Sequence, residues 1–425
     1  MSKKVKLISL GCPKNDVDSE VIGKILSDAG YDIENDINKS SVIFINTCGF
    51  IGDAKNESVG YIVDALDRKR TGEIEKVYVS GCLVKRFSDE LKQKFNGVDK
   101  FFSVEDFNGI RDNFNLPCWD SEFLSRLQLT PEHYAYLKIS EGCDYSCSFC
   151  VIPSIRGTLR SRSEKSLIEE ANILADNGVK ELILVAEDTT SYGNDLSSGE
   201  DLSSLLTKLT KIQGIKWLRI LYIYPKAVND KLIDVIASSD KICNYFDMPI
   251  QHISDEVLKN MNRTYRRKNI ENIIEKLRMS MPGVVLRTSV IVGFPGESKN
   301  QFVELSDFLM DNKFERLGVF KYSDEKDAAS YGMQNKINET EITERYEELR
   351  LNQDMISDKI NQEKIWKTFE VLIDSFDREE GCFIGRTYGD APSIDMVVKT
   401  NKQVKIGEFT NLKIKDSNLF EIFGE

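Results

Sequence analysis

Three cysteines lie close together in the stretch GCDYSCSFC, residues 142–150. Cys143, Cys147 and Cys150 form a C-x₃-C-x₂-C pattern, and the sequence has no fourth cysteine nearby. Metal sites built from thiolates usually use four ligands, because structural zinc is tetrahedral and a four-iron cluster takes one thiolate per iron. The pattern therefore predicts a metal centre with one open position.

Two ways of filling that position follow from the residues. One is a zinc site with a distant fourth ligand, but the chain has only two histidines, and His133 and Cys243 are remote candidates. The other is a four-iron cluster with one iron left free for a ligand, which needs no further protein donor. Because the second alternative explains the missing cysteine, we expect an iron–sulfur cluster.

Composition restricts the class of protein. The 425 residues suffice for two to four domains, and a formal charge of −12 argues against broad affinity for nucleic acid or anionic lipid. The stretch MSKKVKLISLGC has an apolar run too short for a signal peptide, and no stretch reaches the ~18–20 apolar residues of a membrane helix. Cysteine-rich chains without a secretion signal favour metal binding or catalysis over disulfides. We therefore expect a cytoplasmic protein with no membrane partner.

The first 118 residues have the pattern of a doubly wound α/β sheet. Short apolar runs at 4–10, 41–47 and 76–81 predict buried parallel strands, and amphipathic segments such as DSEVIGKILSDAG predict the helices between them. Residues 119–133, which include Pro131, are expected to connect this N-terminal domain to the next region.

Three further cysteines occupy equivalent places in the predicted sheet. Cys12, Cys48 and Cys82 each follow a predicted strand, in ISLGC, INTCG and VSGC, and each adjoins a glycine. The carboxyl ends of parallel strands share one edge of an open sheet, where ligands bind. Three buried cysteines packing as small apolar side chains are the alternative, but this leaves the shared position unexplained. We therefore expect the three thiols to converge, whereas the remaining cysteines are expected to be structural: Cys118, Cys243 and Cys382.

Residues 134–363 repeat a strand–helix unit. The predicted strands are YAYLKIS, ELILVAE, WLRILYI, CNYFDMPI, VVLRTSVIV and RLGVFKYS. Six units are too few for a closed eight-stranded barrel, so we predict an open partial (βα)6 barrel with its working groups at the carboxyl ends of the strands. Short alternating runs at 364–425 predict the strands of a small antiparallel β-barrel: FEVLIDSF, GCFIGRTYG, SIDMVVKT and FTNLKIKDS.

The pattern C-x₃-C-x₂-C directly after the first strand of a partial barrel resembles the signature of the radical S-adenosylmethionine (SAM) enzymes. The resemblance implies that the open iron binds the amino and carboxylate groups of SAM. It also implies that an electron from the cluster cleaves SAM to a 5′-deoxyadenosyl radical, which abstracts hydrogen from an unactivated C–H bond.

Other stretches resemble the same family. VAEDTTSYG at 185–193 ends the second strand, and its carboxylates, including Glu187, are expected to accept hydrogen bonds from the ammonium group of the ligand. RTSVIVGFPGE resembles the segment that packs against the adenosine, so Arg287, Gly293 and Gly296 are expected to contribute to the site, the glycines by close backbone approach. An ordinary βα loop is the alternative for each stretch. Four polar side chains are candidates for the cavity lining, with a structural role as the alternative and no catalytic acid or base assigned among them: Lys138, Gln251, His252 and Arg287.

The order of the three regions restricts the resemblance to one group of radical SAM enzymes. A three-cysteine domain at 1–118, a radical SAM core at 134–363 and a small barrel, the TRAM domain, at 364–425 together resemble the methylthiotransferases over essentially the whole chain. The resemblance implies two [4Fe-4S] clusters, one on each set of cysteines, with the sulfur to be installed held at the first. It further implies two SAM molecules per product, a sulfur donor, and an electron donor such as flavodoxin or ferredoxin.

Members of that family modify either adenosines in transfer RNA or an aspartate in a ribosomal protein. SLGCPKNDVDSE, with Pro13 and Lys14, resembles the ribosomal-protein enzymes, whereas the transfer-RNA enzymes usually carry Gln-Met there. Residues 365–425 hold 8 Lys and Arg against 11 Asp and Glu, which suits a basic ribosomal protein better than phosphates, unless this is an ordinary solvated surface. We therefore expect methylthiolation at the β-carbon of an aspartate in small-subunit protein twelve at the decoding centre, with nucleic acid not expected as the direct substrate.

Two alternatives of other kinds stay open at this point. A transfer-RNA adenosine methylthiotransferase would be favoured by a basic groove across the small barrel and the core. A metal-dependent scaffold without activity would be favoured by bound zinc and by failure to cleave SAM.

Overall fold

The computed structural model describes residues 3–118 and 123–425. Residues 119–122 of the predicted connector lie outside the described residues, as do the first two. In the described part of the chain, no helix is both long and apolar enough to cross a membrane.

A five-stranded parallel sheet forms the N-terminal region, in the order β2-β1-β3-β4-β5. Its strands and helices are β1 (Lys3–Ser9), α1 (Pro13–Asp28), β2 (Tyr31–Ile33), β3 (Val42–Thr47), α2 (Gly52–Thr71), β4 (Lys76–Gly81), α3 (Cys82–Lys94), β5 (Lys100–Phe101) and α4 (Phe107–Asn113). The three predicted strands are confirmed. The two edge strands, β2 and β5, escaped prediction because two or three residues carry too little periodicity.

Helices cover both faces of this sheet, as the continuous apolar run VIFINT requires. Ile43 and Ile45 of β3 pack with residues of α2 and α3. Val42 and Phe44, on the opposite face of the same strand, pack with residues of α1 and α4. The sheet is therefore doubly wound, and its carboxyl edge is left for the loops that follow the strands.

The central region is an open partial barrel. Its strands are β6 (Tyr134–Lys138), β7 (Ser140–Glu141), β8 (Arg160–Ser161), β9 (Glu181–Val185), β10 (Trp217–Ile220), β11 (Tyr245–Asp247), β12 (Val285–Val292) and β13 (Arg316–Lys321). Its helices are α5 (Ile152–Arg156), α6 (Glu164–Asp176), α7 (Leu202–Leu209), α8 (Asp230–Ala237), α9 (Asp255–Asn260), α10 (Arg267–Ser280), α11 (Lys299–Asn312) and α12 (Glu339–Gln362). All six predicted barrel strands are confirmed.

The barrel strands run parallel in two sets, β6-β9-β10 and β11-β12-β13. Backbone hydrogen bonds join the sets: the Cys243 N–H donates to the Leu218 carbonyl at 2.9 Å, and the Ile223 N–H to the Asp247 carbonyl at 2.8 Å. Strands β6 and β13 form the two ends of the curved sheet, so the barrel is open between them.

The C-terminal region is a closed five-stranded barrel in the order β14-β15-β16-β18-β17. Its strands are β14 (Thr368–Asp377), β15 (Cys382–Arg386), β16 (Val397–Thr400), β17 (Phe409–Ser417) and β18 (Glu421–Gly424). The four predicted strands are confirmed, and the short β18 is an addition. Pairing is antiparallel except between β16 and β18, which run parallel and close the barrel.

Buried charges join the small barrel to the core. Arg386 of β15 pairs with Glu181 of β9 and with Asp374 of β14, each at 2.7 Å. Glu181 also pairs with the fully buried Arg219 at 2.7 Å. These opposite charges pair in the interior and hold the small barrel against the core.

Candidate active site at two cysteine triads

The central triad consists of Cys143, Cys147 and Cys150 in the loop between β7 and α5. Gly142 has φ +77°, and a Cβ there would lie 2.1 Å from the Thr158 carbonyl oxygen, so this turn requires glycine. The Cys150 N–H donates to the Cys147 carbonyl at 3.0 Å, and the Ile152 N–H donates to the Cys150 sulfur at 3.4 Å. A short run of sequence thus presents all three thiols from one loop.

The segment between α9 and α10 braces that loop. The Ser148 N–H donates to the Met261 carbonyl at 3.0 Å, and the Asn262 amide donates to the Ser146 carbonyl at 2.8 Å. Arg263, which is buried, donates to the Cys147 sulfur at 3.2 Å. The sequence analysis did not assign Arg263, because the stretch MNRTYRRK that follows α9 contains other arginines and nothing local distinguishes this one.

A cavity of about 180 Å³ opens beside Cys143. Its walls include Tyr145, which stacks on Tyr224 with ring centroids 4.1 Å apart, and Asp188, whose carboxylate accepts hydrogen bonds from the Thr190 and Ser191 hydroxyls. An apolar ring and a carboxylate beside a cysteine triad are suited to a small ligand with both apolar and cationic parts.

The N-terminal triad consists of Cys12, Cys48 and Cys82, which follow the adjacent parallel strands β1, β3 and β4. The chain passes from β1 to β2 on one side and to β3 on the other, so Cys12 and Cys48 flank the point where the strand order reverses. Ligands bind at this point in open α/β sheets. The structure confirms the predicted positions of these cysteines, while their role as metal ligands stays a prediction.

Two neighbours of the N-terminal triad keep the strand ends close. Gly11 has φ +98°, and a Cβ there would lie 2.9 Å from the Cys48 sulfur. The Asn15 amide donates to the Leu10 carbonyl at 2.7 Å and to the Thr47 carbonyl at 3.1 Å, which ties the loops after β1 and β3 together. Asn15 had no role in the sequence analysis, because its function depends on a strand distant in sequence.

The thiols lie in surroundings that disfavour free thiolates. Burial raises the pKa of Cys82 and of Cys150 to about 12, and that of Cys143 to about 11. A bound metal reverses this preference, because a coordinated thiol loses its proton. Each triad also has one buried arginine that donates to a sulfur: Arg263 to Cys147 at 3.2 Å and Arg156 to Cys82 at 3.5 Å. These arginines favour the thiolate form of Cys147 and Cys82, which is the form that binds a metal.

The two triads lie on facing parts of the molecule. Cys82 packs in one apolar cluster with Val151, which directly follows Cys150, and with Ile155 of α5. Helix α5 also carries Arg156, whose guanidinium reaches the Cys82 sulfur. The N-terminal sheet edge and the cysteine loop of the barrel are therefore in contact.

An acidic group lies near this contact, with ligand oxygens of Asp18, Glu105 and Glu141 within 4.8 Å of one another. The Lys138 ammonium lies among them, at 2.6, 2.8 and 2.7 Å respectively. A lysine therefore supplies the cation that these carboxylates require, and Lys138, a predicted cavity residue, has three ion-pair partners.

Glu187 faces the N-terminal region, while the next residue, Asp188, lines the cavity. The closest cations to the Glu187 carboxylate are the Arg156 Nε at 3.7 Å and the Lys14 ammonium at 3.8 Å. Neither carboxylate oxygen has a hydrogen-bond partner, and burial raises the pKa of Glu187. The predicted contact of Glu187 with a ligand ammonium group stays a prediction.

The other predicted SAM-binding residues lie on β12 and in the loop after it. Arg287 pairs with Asp247 at 2.8 Å and with Asp395 of the small barrel at 3.4 Å. A Cβ at Gly293 would lie 2.4 Å from Ile342, so this glycine admits helix α12, whereas a Cβ at Gly296 would meet open space. Their roles toward the adenosine stay predictions.

Two further candidates have structural partners. His252 is buried, which lowers its pKa to about 3, and its Nδ1 accepts a hydrogen bond from the Ser254 N–H at 3.0 Å. Gln251 has φ +67°, and its backbone bonds to Ser289 and Ile291 of β12. Of the remaining cysteines, Cys243 and Cys382 are buried and Cys118 is exposed.

Comparison with known protein families places three matches along the chain. Residues 137–309 match the Radical SAM superfamily, residues 4–103 match the family described as Uncharacterized protein family UPF0004, and residues 365–425 match the TRAM domain. Among solved structures, a radical S-adenosylmethionine methyltransferase, TsrM, from Kitasatospora setae has a similar fold, with a TM-score of 0.56 and 15% identity over 76% of this chain and 75% of that one.

Full-length relatives are much closer in sequence. The ribosomal protein uS12 methylthiotransferase RimO of Clostridioides difficile is 42% identical, over 99% of this chain and 98% of its own. The protein of the same name from Caldanaerobacter subterraneus is 43% identical over the whole of both chains. Such identity, sustained through all three regions, shows that this chain belongs to the RimO family of radical SAM methylthiotransferases.

Proposed function

We propose that this protein methylthiolates ribosomal protein uS12 at the β-carbon of an aspartate, using two molecules of SAM and a sulfur donor. The full-length similarity to RimO proteins carries the proposal. The β C–H bond beside a carboxylate is unreactive toward polar chemistry at neutral pH, so a radical route suits this substrate. A ribosomal substrate also supports a cytoplasmic location, and flavodoxin or ferredoxin is the class of electron donor that we propose.

We propose that the central triad and the N-terminal triad each hold a [4Fe-4S] cluster. When bound, the clusters would supply an electron for the cleavage of SAM and a site for the transferred sulfur. Three thiols per site fit this assignment, because they leave one iron open for a ligand. The cavity beside Cys143 would receive SAM, with Asp188 in its wall and the adjacent Glu187 as the carboxylates available to the ammonium group.

The protein residues have distinct tasks in this proposal. Arg263 and Arg156 stabilise negative charge on the sulfurs of Cys147 and Cys82 by donating hydrogen bonds. Val151 and Ile155 pack with Cys82 and keep water from the contact between the triads. Holding a hydrogen abstractor and a sulfur source on facing surfaces would orient both around one substrate atom.

The domain boundaries that we propose are 1–118, 134–363 and 364–425, supported by the three family matches. Charges of both signs are buried in the last domain, so its composition does not measure its surface charge. Asp390 and Asp395 pair with Arg316 and Arg287 of the core, and Arg386 and Lys399 of the small barrel are buried as well. The substrate assignment therefore depends on the sequence relatives rather than on this charge.

A substrate competition tests the proposed function. Anaerobically reconstituted enzyme is incubated with SAM, sulfide and a reductant, together with either purified uS12 or bulk transfer RNA. Mass spectrometry should find one added methylthio group on an aspartate of uS12 and none on transfer RNA. Modification of transfer RNA alone would contradict the substrate assignment and favour the adenosine methylthiotransferase alternative.

A further inference from the structure

Three buried cations lie where the N-terminal sheet edge meets the barrel, and two of them have a full set of partners. Lys138 contacts three carboxylates within 2.8 Å. Arg156 donates to Glu141 at 2.6 Å, to Asn15 at 2.5 Å and to Asp18 at 3.2 Å, besides its contact with Cys82. Both side chains are therefore committed to holding the protein together.

Lys14 differs from both. Its ammonium carries three donors but makes one long hydrogen bond, to the Ala186 carbonyl at 3.3 Å. The nearest carboxylate oxygen, on Glu187, is 3.8 Å away, and the Tyr222 ring centroid is at 4.5 Å. The side chain is nevertheless only 9% exposed. A buried cation with so little hydrogen bonding has capacity for a further anionic acceptor.

Glu187, the nearest carboxylate to Lys14, also lacks hydrogen-bond partners. Both carboxylate oxygens of Glu187 are buried without a hydrogen-bond partner. The Lys14–Glu187 pair therefore presents unused donors on one side and unused acceptors on the other. If Glu187 engages the ammonium group of SAM, as its sequence context predicts, Lys14 loses its nearest carboxylate partner, and the Cys12 sulfur is the anionic group that remains near it.

The Lys14–Glu187 pair lies near both triads. Lys14 lies two residues after Cys12, at the start of α1. Glu187 follows β9 and directly precedes Asp188, which lines the cavity beside Cys143. A ligand atom bound by Lys14 is therefore held between the two triads. The N-terminal triad is the proposed sulfur site, and the central triad is the proposed site of SAM cleavage.

We infer that Lys14 is a substrate-binding residue that pairs with the side-chain carboxylate of the aspartate to be modified. The inference rests on the proposed function, because it takes the substrate to be a peptidyl aspartate. The ammonium holds the carboxylate, and the β-carbon, one bond away from it, lies in the space between the triads. An asparagine of the same shape lacks the charge and binds more weakly.

Binding of two peptides tests this inference. One is a synthetic peptide of the uS12 loop that contains the aspartate, and the other carries asparagine instead. Affinities are measured by fluorescence anisotropy with reconstituted enzyme and SAM. The wild type should prefer the aspartate peptide by about tenfold or more, and Lys14→Met should abolish the preference. The ratio of the two affinities does not depend on the fraction of folded enzyme, so a partly unfolded variant still gives a result.

Two controls sharpen the test. Lys24→Met, on the exposed side of the same helix, should keep the preference of the wild type, and Lys14→Gln should lose it as Lys14→Met does. An unchanged preference in both Lys14 variants overturns the inference. So does a wild type without preference that still methylthiolates intact uS12, while the proposed function then stands. Failure to modify uS12 at all contradicts the proposed function itself, and the inference falls with it.

Discussion

The two cysteine triads reach the same number of thiols by different routes. The central triad comes from one loop of the barrel, and its spacing is fixed by local turns and by the segment after α9 that braces it. The N-terminal triad comes from three strand ends that are distant in sequence, and its geometry exists only when β1, β3 and β4 lie side by side. Local sequence therefore specifies the first site, whereas the tertiary fold specifies the second.

The largest effect should follow from removing the central triad. Cys143→Ala, Cys147→Ala and Cys150→Ala together should abolish reductive cleavage of SAM, because no open iron remains to bind it. Liquid chromatography of 5′-deoxyadenosine measures the loss. Cleavage at the wild-type rate by this variant would show that the loop is not the SAM-cleaving centre.

Removing the N-terminal triad should separate the cleavage of SAM from the transfer of the methylthio group. With Cys12, Cys48 and Cys82 all changed to Ala, the enzyme should still form 5′-deoxyadenosine but should transfer no methylthio group. Parallel assays of 5′-deoxyadenosine and of modified uS12 measure the two activities in one reaction. Methylthiolated product at the normal yield would rule out the N-terminal triad as the sulfur site.

A methyl group added at Gly11 should disturb the N-terminal triad, whereas a methyl group added at an equally strained turn elsewhere should not. Gly11→Ala places a Cβ at φ +98° and 2.9 Å from the Cys48 sulfur, whereas Gly30→Ala at φ +83° meets nothing within 4 Å. Each change should lower the free energy of unfolding by about 1–3 kcal/mol, from backbone strain. Only Gly11→Ala should also reduce the iron bound by the N-terminal triad.

Denaturant unfolding and iron analysis of both glycine variants give the comparison. Equal iron content in the two variants would mean that contact with Gly11 does not position Cys48.

The smallest effect should be a change in reduction potential. Arg263→Gln and Arg156→Gln each remove a cationic donor from one sulfur, and hydrogen bonds to sulfur stabilise the reduced, more negative cluster. Arg263→Gln should therefore shift the potential of the central cluster to a more negative value and leave the other unchanged, and Arg156→Gln should do the converse. A redox titration followed by electron paramagnetic resonance measures both.

Arg160→Gln is the matched control for the redox comparison, because Arg160 is 56% exposed and pairs with Glu105 rather than with a sulfur. A shift in this variant as large as in Arg156→Gln would point to long-range charge rather than to the hydrogen bond.

The contrast between a site specified by local sequence and one specified by the tertiary fold also explains what could be predicted from sequence. Strands and cysteine positions were predicted correctly, because the apolar runs are long and each cysteine of the N-terminal triad follows one directly. Arg263, Arg156 and Asn15 were not assigned, since each acts on a cysteine or a strand end that is far away along the chain. Glu187 was assigned to the ligand from its own loop, but its cationic neighbours from α1 and α5 were not predicted. Contacts between domains have no local signal, and that is where most of the polar groups of the site lie.

Iron and sulfide analysis of three proteins tests the central claim, that the two triads are separate cluster sites. Reconstituted wild type should hold about eight irons and eight sulfides per chain, and each triple-alanine variant should hold about four of each. Mössbauer spectra of the two variants should show one cluster each and together account for the wild-type spectrum. Stoichiometric zinc without sulfide at the N-terminal triad, or about four irons in the wild type and none once the central triad is removed, would contradict the account.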